Sequence, residues 1–222
     1  YDDTGTLIYE EFVQDSGGGP RNTAPETYAA PTEDLVLVAT GNLFTGASST
    51  NHVLDTIEGQ TVPSTGTITI NGLYGTLEID AAGNYTYTLN NASVQHFTTD
   101  DIIPDVFNYA FTDDSGSYNT QLLAEITGNN DAPVATDNTA YVEKGTLPTD
   151  SGNLLTDDDG AGVDYDVESQ PIGVINVDGT PVPSSGSTAV AGTYGTLTID
   201  GATGAYTYTL DADTDRPAGL TL

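Results

Sequence analysis

The stretch "YGTLEIDAAGNYTYTL" at residues 74–89 decides how the rest of this chain is read. Leu77 and Ile79 alternate with Thr76 and Glu78, and Tyr85, Tyr87 and Leu89 alternate with Thr86 and Thr88, the period of two that puts one strand face in a core and the other in water. A three-residue loop pairing Asp80 with Asn84, with Gly83 in the left-handed conformation, brings Ile79 opposite Tyr85 and Leu77 opposite Tyr87. The apolar faces of the two strands then coincide.

The same text returns as "YGTLTIDGATGAYTYTL" at residues 194–210 with one residue added. The addition falls in the loop, so Ile199 still meets Tyr206 and Leu197 still meets Tyr208; a slip inside a strand would have turned that face to water. Upstream, "TITINGLYG" predicts a hairpin turning at Asn71-Gly72 with Ile68, Ile70 and Leu73 inward, and "INVDGTPV" gives a similar signal at Asp178-Gly179. No stretch combines helical periodicity with proper caps.

The repetition extends over most of the chain. Pro63 and Gly66 match Pro183 and Gly186 at an offset of 120, whereas "GNLF" and "GNLL" match Asn42 to Asn153 at only 111. The second copy is therefore longer between these anchors, in a region that includes "TDDDGAGVDYD". "NTAP" at 22–25 and "NDAP" at 130–133 mark the starts of two units, and "DDTG" at 2–5 answers "DDSG" at 113–116. Residues 1–20 are read as the last strand of a preceding module plus a linker, with "SGGGP" its flexible part; 21–130 as a complete β-sandwich module; and 131–222 as a second module without a counterpart to "DVFNYAFTDDSGSYNTQLLAEITG".

Charge narrows the partners. Three basic residues, Arg21, Lys144 and Arg216, face 33 acidic ones for a net charge of −30. That balance excludes nucleic acid and anionic membranes as charge-driven partners and makes cations the natural ones. With no cysteine, neither disulfides nor thiolate metal sites are available. No apolar run has the length of a membrane-spanning helix.

Calcium is the cofactor these residues suit, because a hard cation takes six to eight oxygens from carboxylates, amides and carbonyls. Two clusters are candidates. At the boundary between units, Asn129, Asn130 and Asp131 are expected to approach Asp113 and Asp114 of the preceding hairpin; in the lengthened loop, Asp157, Asp158, Asp159, Asp164 and Asp166 gather within ten residues. The competing reading is a set of solvated turns, since Asp and Asn bend back on their own backbone. The loop lacks EF-hand spacing. Glu33, Asp34 and Glu143 read as solvated acids on strands, with a ligand role across a boundary as the alternative.

No enzyme is expected. His52 and His96 stand without a motif partner, and neither a G-x-S-x-G elbow nor H-E-x-x-H is present. The threonine rows and Tyr85 and Tyr87 suit the wet face and core of a sandwich as well as they suit a sugar-binding surface.

Units that open with "NDAPVA", pass through "GNLL", turn on "YGTLTID", run along "AYTYTL" and carry "FNYAFTDDSG" resemble the VCBS repeat family, cadherin-like and Ig-like modules found in tandem in large bacterial surface proteins. The resemblance implies all-β, Ig-like sandwich modules acting as an extracellular spacer segment of an adhesin or biofilm matrix protein, located outside the cell or on its surface. The implied partners are neighbouring modules of the same long chain, other copies of the protein, or surface polysaccharide. The first unit departs from the family pattern after "GNL", where an acidic run is replaced by "FTGASSTNHVLD". Two alternatives stay open: a polysaccharide-binding module, and a fibre subunit in which one chain's strand completes the unfinished unit of the next.

Overall fold

The computed structural model describes residues 30–47 and 49–212. The strand expected within residues 1–20 and the "NTAP" boundary lie outside them. The chain forms two compact units, Tyr1–Asn130 and Asp131–Leu222. Among the described residues the regular structure is all β apart from one 3-10 turn, Asn91–Ser93.

In the first unit, β1 (Val38–Asn42), β2 (Val53–Ile57), β3 (Gln60–Thr61), β4 (Thr67–Asn71), β5 (Gly75–Asp80), β6 (Asn84–Leu89), β7 (Ile102–Asp113) and β8 (Gly116–Thr127) form two four-stranded sheets. Their orders are β1-β6-β5-β4 and β3-β2-β7-β8, all antiparallel. The register of β5 on β6 is the one the alternation demands, Ile79 opposite Tyr85 and Leu77 opposite Tyr87, with Gly83 at φ 83° closing the loop. Leu77, Ile79 and Tyr87 are fully buried. From the other sheet, Phe107, Leu122 and Ile126 join the same core, and the Tyr87 and Phe107 rings meet edge to face at 6.0 Å. Tyr85 and Tyr87 are core residues and offer no ring face to a sugar.

One turn departs from expectation. β4 and β5 are joined not at Asn71-Gly72 but two residues later, at Leu73-Tyr74, with the Gly72 N–H donating to the Gly75 carbonyl at 2.8 Å. Leu73, expected to point inward, is 75% exposed. The cause is tertiary: the Asp105 carboxylate of β7, almost fully buried, accepts hydrogen bonds from the Leu73 N–H (2.9 Å), the Tyr74 N–H (3.0 Å) and the Tyr87 hydroxyl (2.9 Å). A Cβ at Gly72 would come within 2.2 Å of that carboxylate, so the glycine serves close approach rather than the turn. Burial, with the hydrogen bond and charge of Asp105, pushes the Tyr87 phenol well above its ordinary range.

The second unit repeats the first sheet. β9 (Thr149–Asn153), β10 (Asn176–Val177), β11 (Thr180–Pro181), β12 (Ser187–Ala191), β13 (Gly195–Asp200) and β14 (Ala205–Leu210) include a four-stranded sheet of order β12-β13-β14-β9, with Leu197 opposite Tyr208 and Ile199 opposite Tyr206. Asp178-Gly179 makes the tight turn between β10 and β11, both residues at positive φ, and Glu58-Gly59 does the same between β2 and β3 at the 120-residue offset. No second four-stranded sheet is present in this unit among the described residues.

Replacing Asp105 with alanine strips an acceptor from three donors at about 1–3 kcal/mol each. Urea unfolding followed by hydrogen exchange in β5 and β6 is expected to show the first unit losing at least about 3 kcal/mol, comparable to a Leu77→Ala cavity at about 2–5 kcal/mol. Unchanged protection in Asp105→Ala would contradict the account of the turn.

Candidate functional site

The segment before β1 turns back on itself, with Thr32 bridging Val36 and Asp34 in the left-handed conformation at φ 58°. It is laced to the end of β8 by the Glu33 N–H to the Thr127 carbonyl and the Thr127 N–H to the Pro31 carbonyl, each at 3.0 Å. This places Glu33 inside the unit. Its side chain is fully buried, with Oε1 accepting from Gln95 Nε2 at 2.8 Å and Oε2 from the Asn129 N–H at 3.2 Å. Asp34, exposed, exchanges hydrogen bonds with the Asn91 amide, and the Glu33 and Asp34 carboxylates lie within 4.8 Å of each other.

Glu33 is therefore not the solvated acid its sequence suggested. Nothing periodic in "PTED" signals burial; its hydrogen-bond partners, Gln95 and Asn129, come from the turn after the 3-10 segment and from just past the end of β8, far along the chain. At the 111-residue offset Asp34 corresponds to Gly145, also left-handed at φ 84°, and Glu33 corresponds to Lys144. The turn is shared by the two units and the acid is not. Glu143 is half-buried and accepts from the Thr146 hydroxyl at 2.7 Å.

In the second unit, the Asp131 N–H donates to Glu168 Oε1 at 2.6 Å, while Glu168 Oε2 is buried with no hydrogen-bond partner. A buried anionic oxygen without a donor is costly, and it is also the oxygen type a hard cation takes. "DVES" gave no hint of this, because the one hydrogen bond that holds the carboxylate comes from Asp131, 37 residues earlier.

The boundary cluster expected from sequence does not assemble as expected. Asp113 pairs with Gly116 at one end of the β7–β8 hairpin and Ile102 with Thr127 at the other, so eleven strand steps, roughly 35 Å, separate Asp113 and Asp114 from Asn129 and Asn130. The hairpin tip instead clamps the loop before β2. Asp113 Oδ2 accepts from the Ser49 hydroxyl at 2.5 Å, and Asp114 accepts from the Thr50 hydroxyl and from Asn51 Nδ2 at 2.8 Å.

Ser49 Oγ also meets His52 Nε2 at 2.9 Å, and the His52 ring stacks on Phe44 with centroids 4.7 Å apart. Ser, His and Asp are thus neighbours without being a nucleophilic triad. The single Ser49 proton goes to Asp113, so His52 Nε2 must donate to Ser49 and has no lone pair left there to act as a base.

The acids of the lengthened loop are spent on backbone. Asp157 Oδ2 accepts from the Asn153 N–H (2.6 Å), Asp159 Oδ2 from Thr139 N–H (2.5 Å) and hydroxyl (3.0 Å), and Asp164 Oδ1 from the Thr136 N–H (2.7 Å). Asp158 Oδ1 accepts from the Gly160 and Gly162 N–H groups at 2.9 Å each, which holds its carboxyl below the ordinary range. Among the described residues neither Asp157 nor Asp159 joins two other acids at metal-ligating spacing. Asp159 and Asp164 hold the loop onto residues 136–139, while Asp157 and Asp158 close local turns.

Burial acts upward on the Asp113 carboxyl, but hydrogen bonds from Ser49, Ser115 and Gly116 and the nearby His52 outweigh it and hold the group below its ordinary value. A lowered folded-state value means stability that is complete above the unfolded value of about 3.9 and lost as pH falls through the folded one. Asp113→Asn is therefore expected to lower the urea midpoint at pH 7 and to differ little from the parent near pH 2.5; an equal gap at both would refute the ionised clamp. In comparisons with protein-family models and with curated proteins, the chain matches none.

Proposed function

We propose that this chain is an extracellular spacer segment of a large bacterial surface or matrix protein, built of like modules and stiffened by calcium at the ends of its units. The observation that carries the reading is the repetition of one sheet, β1-β6-β5-β4 and β12-β13-β14-β9, with the same cross-strand Leu–Tyr and Ile–Tyr pairs in successive units. Tandem repetition of one β-sheet frame serves length and projection, and it agrees with the resemblance to VCBS repeats.

The donor sets fit a hard cation in two places, each within its own unit. In the first, Glu33 and Asp34 present carboxylates beside the Asn91 and Gln95 amides. In the second, Glu168 holds a buried oxygen without a donor. Calcium bound there would supply positive charge to a chain of net charge −30 and would tie the segments flanking residues 129–131 to their units. The clamp at Asp113 and Asp114 and the stitched acids Asp157 and Asp159 keep structural roles.

The test is a thermal melt of the whole chain in chelator and in excess calcium. Extracellular sites bind at about 10⁻⁴ to 10⁻³ M, and an ion at about 100 times its dissociation constant adds about 2.7 kcal/mol. Calcium is expected to raise the midpoint, Glu33→Gln and Glu168→Gln each to remove part of the rise, and Asp157→Asn to leave it intact. A melt indifferent to calcium sinks the cation part of this reading.

A further inference from the structure

The sequence holds a single Asn-Gly pair, Asn71-Gly72. In such a pair the side-chain carbonyl carbon of the asparagine is one ring closure away from the next backbone nitrogen, and glycine puts no Cβ in the path of attack. Asn71 ends β4 with its side chain exposed, so water reaches the amide.

The chemistry needs nothing else. The Gly72 nitrogen bonds to the Asn71 side-chain carbonyl carbon, the amide C–N bond breaks, and ammonia leaves with the Gly72 proton. Water then opens the ring at either carbonyl, giving aspartate or an isoaspartate whose backbone is one carbon longer.

Three consecutive N–H groups hold this reaction off. Gly72 donates to the Gly75 carbonyl at 2.8 Å, Leu73 to Asp105 Oδ1 at 2.9 Å and Tyr74 to Asp105 Oδ2 at 3.0 Å. Asn71 is paired with Thr76 in the β4–β5 ladder, and closing the ring rotates it out of the extended conformation. The turn must therefore leave Asp105 before the nitrogen can attack. Return is blocked afterwards, because there is no room for even a Cβ at Gly72 beside the Asp105 carboxylate, and an isoaspartate backbone needs more.

We propose that Asn71 is a site of self-modification by deamidation, latched by Asp105, and that its conversion to isoaspartate releases the β4–β5 turn irreversibly. The glycine that admits the buried carboxylate is the same residue that makes the neighbouring amide reactive. The second unit supplies an internal control. There Ala191 stands at the position of Asn71, beside a turn of the same form in which the Gly192 N–H donates to the Gly195 carbonyl at 2.7 Å. This inference rests on the fold of the first unit and stands or falls apart from calcium.

The test ages the full chain in mildly alkaline buffer and follows the Asn71 amide by peptide mass spectrometry, beside a synthetic peptide of residues 69–76. The free peptide is expected to lose the amide at least tenfold faster than the chain. Asp105→Asn, which keeps the size of the side chain and removes an acceptor, is expected to speed the loss in the chain at least tenfold. Leu122→Ala opens a cavity in the same core away from the turn and is expected to stay much closer to the parent rate. Isoaspartate in the aged chain is expected to accompany lost amide protection in β4 and β5, with the second unit unchanged. The comparison of parent chain with peptide decides the matter if Asp105→Asn fails to fold. A parent chain that deamidates as fast as the peptide, an Asp105→Asn chain no faster than the parent, or a Leu122→Ala chain as fast as Asp105→Asn overturns the proposal.

Discussion

One buried carboxylate sets the geometry between the two sheets of the first unit. Asp105 leaves β7 to take two backbone N–H groups from a turn in the opposite sheet and a hydroxyl from that sheet's central strand. Apolar contacts alone tolerate sliding, because Leu, Ile and Phe are interchangeable in volume over small shifts. A carboxylate with three directed donors does not, since any displacement strands a charge in a place where water cannot reach it. The turn at Leu73-Tyr74, the close approach at Gly72 and the edge-to-face contact of Tyr87 with Phe107 all follow from where that carboxylate must sit.

The two units then differ less in the sheet they share than in what lies on it. Strand registers, the glycine-closed loops and the tight turns at Glu58-Gly59 and Asp178-Gly179 agree between them. The acids do not. Glu33 is replaced by Lys144 at the corresponding turn, and the aspartates of the lengthened loop belong to the second unit alone. A common frame with private acidic loops lets each module keep its strand pairing while its ends and loops vary.

The sequence made the shared frame readable because period-two alternation is a local signal: Leu77, Ile79, Tyr85 and Tyr87 announce their own face, and a one-residue loop insertion between Asp200 and Ala205 leaves it intact. Features set by distant segments were not readable. Asn71-Gly72 carries a strong turn preference that Asp105, more than thirty residues away, overrides. The buried Glu33 is held by Gln95 and Asn129, and Glu168, with one oxygen buried, by the Asp131 N–H, so neither could be told from the other acids of a very acidic chain. The grouping of Asp113 with Asn129 failed on length, because hairpin strands of twelve residues carry the two ends of β7 and β8 far apart.

The way this chain satisfies its aspartates bears on how its fold responds to salt. Asp80, Asp157, Asp158, Asp166 and Asp200 are all met by backbone N–H groups within four residues, and Asp164 by the Thr136 N–H, rather than by lysine or arginine. Dissolved salt weakens ion pairs between exposed side chains but hardly touches short hydrogen bonds to the main chain, and it screens the mutual repulsion of the surplus negative charge. Added salt thus removes a stress from this fold without loosening these fastenings.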